Sequence, residues 1–150
     1  MSVGPIVGLR PADLAQLESL LGEHHLPYED CAEQSQIFCG VYHGNELIAA
    51  GGLEPADEYA LLRSIVVQQR YRGRGLAQSI SERLIRQAEA EGRVAVYLLT
   101  ETAEDYFAGQ GFEKVARDAV PAAIAHTRQF ASLCPDSASC MRMTLPRPGS

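Results

Sequence analysis

The sequence predicts one α/β domain over residues 1–150, in which helices flank a mixed, mostly antiparallel sheet, and three observations support this. A length of 150 residues with 46% hydrophobic content suits one domain with one core. Two β-rich runs, residues 37–42 and 46–53, flank the turn residues His43-Gly44-Asn45 and predict an antiparallel hairpin. From Ala60 to Leu99 a strand, a crossover helix and a second strand follow, which predicts a parallel pair.

The N-terminal segment predicts one strand and one helix ahead of the hairpin. The strand covers residues 3–10, and Pro11 with Asp13 suits the start of the helix. The helix should end near Gly22. Its apolar face has helical spacing and consists of Leu14, Leu17, Leu20 and Leu21.

The second half of the chain predicts helices that alternate with strands. A long helix from Leu76 should stop at Gly92, and near-continuous apolar character predicts a central strand over residues 94–99. Thr102 lies three residues before Asp105, a spacing that predicts a capping box at the start of a short helix. The remaining predicted elements are a strand over residues 112–120, a helix over residues 121–133 and a final strand over residues 140–145.

An arginine- and glycine-rich turn, Arg70-Tyr71-Arg72-Gly73-Arg74-Gly75, joins the strand that begins at Ala60 to the long helix. A glycine turn that opens a helix presents unpaired backbone N–H groups and the positive end of the helix dipole to one point. The arginines add positive charge outside it. Neither the Gly-Lys-Ser/Thr of a P-loop nor the three-glycine dinucleotide fingerprint is present. The turn therefore suits either a phosphate-like anion or solvent.

Charge and hydropathy argue against several classes of function. The formal net charge of −6 disfavours non-specific nucleic-acid binding, which needs a basic face, so the arginine turn suits a small anion. No apolar run approaches transmembrane length, and the N-terminus lacks the features of a signal peptide. We therefore expect a cytoplasmic protein that binds neither nucleic acid nor membrane.

The four cysteines, Cys31, Cys39, Cys134 and Cys140, do not have the spacing of a zinc site. In a reducing compartment they are expected to be free thiols, and no metal site is predicted. Thiolates at Cys134 and Cys140 could bind trivalent arsenic, because soft ligands suit it. The alternative is that both are core residues flanking a loop.

Two sequence blocks, in this order, resemble the GCN5-related N-acetyltransferases. The first is Arg70-x-x-Gly73-x-Gly75 after an apolar strand, which resembles the acyl-CoA pyrophosphate loop of that family. The second is Ala103-x-x-x-Phe107-x-x-x-Gly111-Phe112, just after the predicted strand over residues 94–99. The resemblance implies the acetyltransferase fold, with a sheet that splays between the fourth and fifth strands. It also implies acetyl-CoA as cosubstrate.

The resemblance further implies which residues contact the acyl carrier. In the family the pantetheine arm lies along the strand before the loop, and the loop amides hold the pyrophosphate. Carried over by position, the carrier-binding residues are Ile65, Val66, Val67, Arg70, Arg72, Gly73, Arg74, Gly75, Leu76, Ala77, Thr100, Ala103 and Phe107. Thr100 stands where the family often has Asn. Phe107 stands where it often has the Tyr proposed to protonate the departing thiolate, and a phenylalanine cannot donate a proton.

The C-terminal sequence narrows the resemblance. The pattern Pro121-x-x-Ile124-x-x-Thr127-Arg128-Gln129-Phe130, followed by Leu133-Cys134-Pro135-x-Ser137-Ala138-x-Cys140-Met141, resembles acetyltransferases associated with bacterial arsenic-resistance loci. This resemblance covers nearly all of the chain. It points to an arsenical amino acid or a glutamate-like amine as the acceptor.

Acetyl transfer from a thioester to an amine needs a base, a polarised carbonyl and alignment of both reactants. The backbone N–H of Val67 is expected to polarise the carbonyl. Glu54 is the first choice of base and Glu101 the second. The alternative for Glu54 is that it merely ends a strand, and the alternative for Glu101 is that it places a charge near a helix N-terminus. Arg63 and Arg128 are candidates for binding an acceptor carboxylate, and a structural or surface role is the alternative for both.

The predicted function is therefore acetyl-CoA-dependent N-acetylation of a small amine by direct attack in a ternary complex. The alternative from another class is a non-catalytic acyl-CoA-binding or ligand-sensing module, which the phenylalanine at position 107 favours. A third hypothesis is a protein N-terminal acetyltransferase. Whether the chain forms a homodimer is left open.

Overall fold

The computed structural model describes residues 4–26, 36–128, 130–131 and 137–146. The strands of these residues are β1 (Ile6–Gly8), β2 (Ile37–His43), β3 (Glu46–Ala56), β4 (Tyr59–Val67), β5 (Ala95–Thr100), β6 (Glu113–Val115) and β7 (Ser139–Thr144). The helices are α1 (Leu14–Glu23), α2 (Leu76–Ala90), α3 (Glu104–Gly109) and α4 (Ala122–Ala125). No helix within the described ranges combines the length and the apolar character needed to cross a membrane.

The described strands form one mixed sheet in the order β1-β2-β3-β4-β5-β7-β6. The pairs β1/β2, β2/β3, β5/β7 and β6/β7 are antiparallel. A two-residue turn joins β3 to β4, and only antiparallel neighbours can be connected so tightly. β4 and β5 are parallel, with register from Tyr59↔Ala95 to Leu61↔Tyr97, and β4 then continues to Val67. The predicted mixed, mostly antiparallel sheet is confirmed.

Both hairpin turns place their first residue in the left-handed region. Gly44 has a φ of 62° between β2 and β3, and Asp57 has a φ of 53° between β3 and β4. Two-residue hairpins favour a positive φ because the backbone twist then matches that of the strands. Glycine and aspartate tolerate this conformation better than most residues. The His43-Gly44-Asn45 signal therefore identified the first hairpin correctly.

The contacts of the chain divide it into two compact units. The first comprises residues 1–54 and 62–85, and its core packs the apolar face of α1 against β2 and β3. The buried members of this core are Leu17, Leu20, Leu21, Phe38, Leu47, Ala50 and Val66. In the same unit α2 approaches the sheet backbone, since a Cβ built at Gly51 would lie 2.5 Å from Ile65 and 2.6 Å from Ile80.

The second unit comprises residues 55–61 and 86–150, and its core lies among β5, β7 and α4. The buried members are Ala56, Leu61, Ala95, Tyr97, Ile124, Phe130 and Cys140. The end of α2 also belongs to this unit. Gly92 has a φ of 77°, and the N–H of Arg93 donates to the carbonyl of Ala88 at 3.0 Å. This pattern ends a helix at a left-handed glycine and confirms the predicted stop.

One of the two C-terminal predictions is wrong in extent. The strand predicted over residues 112–120 ends at Val115, because β7 extends only one residue, Ser139, past the Val115↔Cys140 pair. A 3-10 turn follows at Arg117–Ala119. The helix predicted over residues 121–133 is observed as α4, and helical geometry recurs at residues 128 and 130–131, where the N–H of Ala131 donates to the carbonyl of Thr127 at 2.9 Å. Residues 129, 132 and 133 of this prediction lie outside the described residues.

The predicted capping box at Thr102 is also wrong. The N-cap of α3 is Ala103, and the cap makes no side-chain hydrogen bond. The N–H of Ala103 instead donates to Thr100 Oγ1 at 3.0 Å. The hydroxyl that supports the start of this helix therefore comes from the end of β5.

Replacing Gly51 with alanine tests the close approach of α2 to β3. We expect Gly51→Ala to lower the free energy of unfolding by about 1–3 kcal/mol, because the new methyl group must displace Ile80. Urea denaturation provides the measurement. Gly8→Ala is the control, since a Cβ at Gly8 would meet nothing within 4 Å. Equal stability of the two variants would contradict the packing.

Candidate functional site

The candidate site begins in β4, where the backbone departs from regular strand geometry. Ser64 has a φ of 61°, although it is not a glycine. The residues from Ala60 to Arg63 are all buried, so the strand lacks the alternation of a half-exposed strand. A residue held in a sparsely populated region costs about 1–3 kcal/mol, and such residues cluster at functional sites. The kink lies just before the predicted carrier-binding residues Ile65, Val66 and Val67.

The arginine turn is attached to the β2–β3 hairpin. The N–H of Gln68 donates to the carbonyl of Ile48 at 2.8 Å, and a 3-10 turn follows at Gln69–Tyr71. Tyr71 is buried, and its hydroxyl shares a 2.7 Å hydrogen bond with Nδ1 of His43. Because His43 belongs to β2 and Tyr71 is buried, this hydrogen bond fixes the turn relative to the β2–β3 hairpin. Sequence reasoning did not assign a role to His43 or Tyr71.

The three arginines of the turn make different contacts. Arg70 Nη2 lies 2.8 Å from Glu46 Oε1, and Arg72 Nε donates to the carbonyl of Val67 at 3.1 Å. Arg70 and Arg74 each place the guanidinium carbon 5.3 Å from the centre of the Tyr71 ring. Among the described residues, no carboxylate forms an ion pair with Arg74. Arg70 and Arg72 thus stabilise the turn, while Arg74 carries an uncompensated charge.

Glu46 is held from two sides at the start of β3. Gln68 Nε2 donates to Glu46 Oε2 at 2.9 Å, and Arg70 contacts the other oxygen. The hydrogen bond from Gln68, together with the positive charge of Arg70, lowers the pKa of Glu46 below its ordinary value. Glu46 therefore remains charged at neutral pH. Sequence reasoning missed it because the contact joins residues more than twenty positions apart.

The amide groups that follow the turn have no acceptor among the residues that the structure describes. Gly73 and Gly75 have φ values of 80° and 76°, and no Cβ at either would meet an atom within 4 Å. The first helical bond runs from the N–H of Ser79 to the carbonyl of Gly75. Within the described part of the chain, no hydrogen bond takes the N–H groups of residues 73–77. These amides include those of Leu76 and Ala77, and they open a helix of 15 residues.

This geometry fits an anion of the size of a phosphate group. The N–H groups of residues 73–77 and the positive end of α2 lie beside two left-handed glycines, at each of which a Cβ would meet nothing within 4 Å. Arg74 adds a nearby positive charge. A cradle for a phosphate-like anion at this turn stays a prediction, which these amides and the charge of Arg74 support.

Glu54 and Arg63 lie together in the first unit. Arg63 Nη1 is 3.7 Å from Glu54 Oε1 and donates to Gln36 Oε1 at 2.8 Å. The Nε atom of Arg63 donates to Ser64 Oγ at 3.0 Å, and its guanidinium carbon lies 5.6 Å from the centre of the Phe38 ring. The side chain of Arg63 is 1% exposed and that of Glu54 20% exposed. Glu54 thus reaches solvent, whereas Arg63 is enclosed.

The second unit holds the remaining predicted carrier-binding residues. Thr100 and Ala103 are joined by the hydrogen bond that precedes α3. Phe107 is buried and makes edge-to-face contacts with Tyr106 and Phe112, whose ring centres lie 5.1 Å and 5.7 Å away. Phe107 therefore acts as a packing residue of α3. Glu101, the second candidate base, is exposed beyond the end of β5 and lies 3.5 Å from Ser137 Oγ.

The remaining predictions concern binding of an acceptor carboxylate and the thiol groups. Arg128 is exposed after α4. Cys39 and Cys140 are buried free thiols, and burial raises the pKa of each to about 11. At neutral pH both are therefore protonated, which disfavours metal or arsenic binding. Cys31 and Cys134 lie outside the described residues. Within the described ranges, no group of three or more His, Cys, Asp or Glu residues is placed to hold a metal ion.

Comparison with solved structures places this fold among acetyltransferases. N-acetylglutamate synthase from Neisseria gonorrhoeae, complexed with coenzyme A and N-acetyl-glutamate, superposes with a TM-score of 0.77 at 15% identity. The match covers 96% of this chain but 36% of that one, so the chain spans about a third of that enzyme's length.

Two other similar structures match over nearly their whole length. PaiA N-acetyltransferase from Thermoplasma acidophilum, in complex with coenzyme A, gives a TM-score of 0.70 at 14% identity and covers 97% of this chain and 100% of its own. The ribosomal-protein-S18-alanine N-acetyltransferase from Escherichia coli gives 0.73 at 17% identity, with 97% and 96% covered. At these identities the likeness establishes the fold alone.

The family itself is established by sequence. No curated protein sequence matches the chain significantly. The family model described as the acetyltransferase (GNAT) family matches residues 10–118, which include α1, the arginine turn, α2 and α3. The chain therefore belongs to the GNAT family of acetyltransferases.

Proposed function

We propose that this protein is an acetyl-CoA-dependent N-acetyltransferase that modifies the amine of a small molecule. The observation that carries the proposal is the set of amides at residues 73–77, which have no acceptor in the described protein and open α2 beside two left-handed glycines. A diphosphate suits these donors because it carries several anionic oxygens, and the N–H groups at a helix N-terminus bind such oxygens. Family membership supplies the acyl-transfer chemistry.

The residues that would hold acetyl-CoA follow from this fit. The amides of Gly73, Gly75, Leu76 and Ala77 would bind the diphosphate, and Arg74 would add charge. Arg70 and Arg72 would act by fixing the turn through Glu46 and the carbonyl of Val67. Ile65, Val66 and Val67 would border the pantetheine arm. Thr100, Ala103 and Phe107 would also contact acetyl-CoA, as the family resemblance implies. When bound, acetyl-CoA supplies the acetyl group as an activated thioester.

The chain contributes two catalytic groups under this proposal. The carboxylate of Glu54 accepts a proton from the acceptor ammonium, directly or through one water molecule, and so frees the nitrogen lone pair. Its 20% exposure is compatible with such access. The N–H of Val67 donates to the oxygen of the carbonyl under attack. Because Phe107 is apolar, the departing sulfur receives its proton from water or leaves as a thiolate.

The proposed acceptor is an amino-acid-like amine, and the resemblance to arsenic-resistance acetyltransferases adds arsenical amino acids to this class. Arg128, which is exposed, is the proposed partner for an acceptor carboxylate. Arg63 is less suited to this role because its side chain is 1% exposed and already bonds to Gln36 and Ser64. The proposed compartment is the cytoplasm.

CoA release with a panel of amines tests the activity. The panel combines free amino acids, an arsenical amino acid and a short peptide with a free N-terminus, and thiol detection reports turnover. We expect turnover with one or more free amino acids or arsenicals. CoA binding without turnover across the panel would favour a ligand-sensing module, and turnover with peptides alone would favour a protein N-terminal acetyltransferase.

Replacing Gly73 with leucine tests the diphosphate site. We expect Gly73→Leu to weaken CoA binding at least about tenfold, or about 1.4 kcal/mol, because the side chain enters the space in front of the amides. Isothermal titration calorimetry measures the affinity. Gly92→Leu is the matched control, since Gly92 has a φ of 77° against 80° at Gly73, and neither Cβ would meet an atom within 4 Å. Unchanged CoA binding by Gly73→Leu would remove the diphosphate assignment.

Replacing Glu54 with glutamine tests the base. We expect Glu54→Gln to lower kcat by about 100-fold or more, since the amide cannot accept the proton. The affinity for CoA should stay within about twofold, which corresponds to less than 0.5 kcal/mol. Glu101→Gln is measured in parallel. A larger loss of kcat in Glu101→Gln than in Glu54→Gln would transfer the role to Glu101.

A further inference from the structure

We infer that Arg63 is a positioning residue, which holds Glu54 and the kink at Ser64 in the geometry needed for proton transfer. The inference rests on the proposed function, because it assigns Arg63 a role only if Glu54 is the base. It concerns a residue that sequence reasoning took as a candidate for binding the acceptor. The contacts of its guanidinium group indicate an internal role instead.

A buried guanidinium group must be paired within the protein. Taking the charge out of water costs several kcal/mol unless hydrogen bonds and an opposite charge compensate it. Arg63 is 4% exposed as a whole residue and 1% exposed in its side chain. It donates to Gln36 and Ser64, faces the Phe38 ring and lies 3.7 Å from Glu54 Oε1. If the Arg63 side chain moved out of this position, these contacts would be lost.

These contacts join three segments of the chain around Glu54. Gln36 precedes β2, and it lies one residue beyond the Ile37↔Leu53 pair of the β2–β3 ladder, where Glu54 follows Leu53. Ser64 is the kinked residue of β4. The planar guanidinium group thus hydrogen-bonds to Gln36 and to Ser64 at the kink, and it places its positive charge 3.7 Å from the carboxylate of Glu54 in β3. A misplacement of about 1 Å at a reacting group can cost about 100-fold in rate.

The same contacts disfavour direct recognition of the acceptor by Arg63. A guanidinium group that binds an incoming carboxylate must present N–H groups to solvent in the unbound state. The side chain of Arg63 is 1% exposed, whereas Glu54 beside it is 20% exposed. The Glu54 side chain is therefore the more exposed member of the pair, although its Oε1 atom is buried, and under this inference the guanidinium acts through it.

A double-mutant cycle tests the inference. Arg63→Gln, Glu54→Gln and the double variant are compared with the wild type in kcat, in KM for acetyl-CoA, in CoA affinity by calorimetry and in stability by urea denaturation. We expect Arg63→Gln to lower kcat about 10- to 100-fold, with KM and CoA affinity within about twofold. The loss should disappear when Glu54 is already glutamine, because residues that act as a unit are not additive. The urea cycle should also report a coupling between the two side chains.

Two further variants separate positioning from loss of stability. Arg63→Lys keeps the charge and is expected to recover part of kcat, and it carries the test if Arg63→Gln does not fold. Arg83→Gln is the control, because exposed Arg83 donates to the carbonyl of Ile6 at 2.8 Å far from Glu54 in the sequence. Its kcat should stay within about twofold.

The outcomes separate this inference from the proposed function. If the wild type releases no CoA with any amine while the urea cycle shows coupling, the proposed function fails and the catalytic role of Arg63 with it. If the wild type is active and Glu54→Gln is not, an unchanged kcat in Arg63→Gln overturns the inference alone. The inference is also overturned if Arg63→Gln lowers kcat by the same factor in the wild type and in the Glu54→Gln variant. A raised KM for the acceptor at constant kcat would return Arg63 to acceptor binding.

Discussion

The backbone amides at the start of α2 are the physical constraint on which this structure depends. An α-helix cannot satisfy its first N–H groups internally, and here no side chain of the described protein caps those of residues 73–77. Such groups are costly if buried, so they must face solvent or a ligand. Gly73 and Gly75 keep the space before them open, because a side chain at either would be strained by its positive φ.

The rest of the first unit fixes where these amides point. Gly51 lets α2 approach the sheet so closely that Ile80 and Ile65 occupy the space of a missing Cβ. Tyr71 ties the turn to His43, and Glu46 neutralises Arg70. Packing contacts within the protein, which involve no ligand, therefore fix the direction of the amides in the turn. Pre-organised donors of this kind need little rearrangement when an anion binds.

A second polar cluster lies in the same unit and follows a different principle. Arg63 is a charged residue within a buried strand, and such residues persist only when the fold supplies partners. Gln36 just before β2, Glu54 in β3 and Ser64 in β4 supply them. The cluster compensates the burial of Arg63 and places its positive charge 3.7 Å from Glu54 Oε1. The kink at Ser64 is part of this arrangement, since its hydroxyl accepts from Arg63.

The sequence by itself determined the mixed sheet, the β2–β3 hairpin, the length of α2 and the glycine turn, because each depends on local signals such as apolar period, turn residues and helix stops. Tertiary structure decided where β6 ends, since β7 extends only one residue past the Val115↔Cys140 pair. It also placed Arg63 against Glu54 and Tyr71 against His43, contacts between residues distant in sequence. Residue type and spacing specify which chemistry a chain carries. Only packing decides which of those groups meet, because the partners of a buried charge are chosen by the fold as a whole.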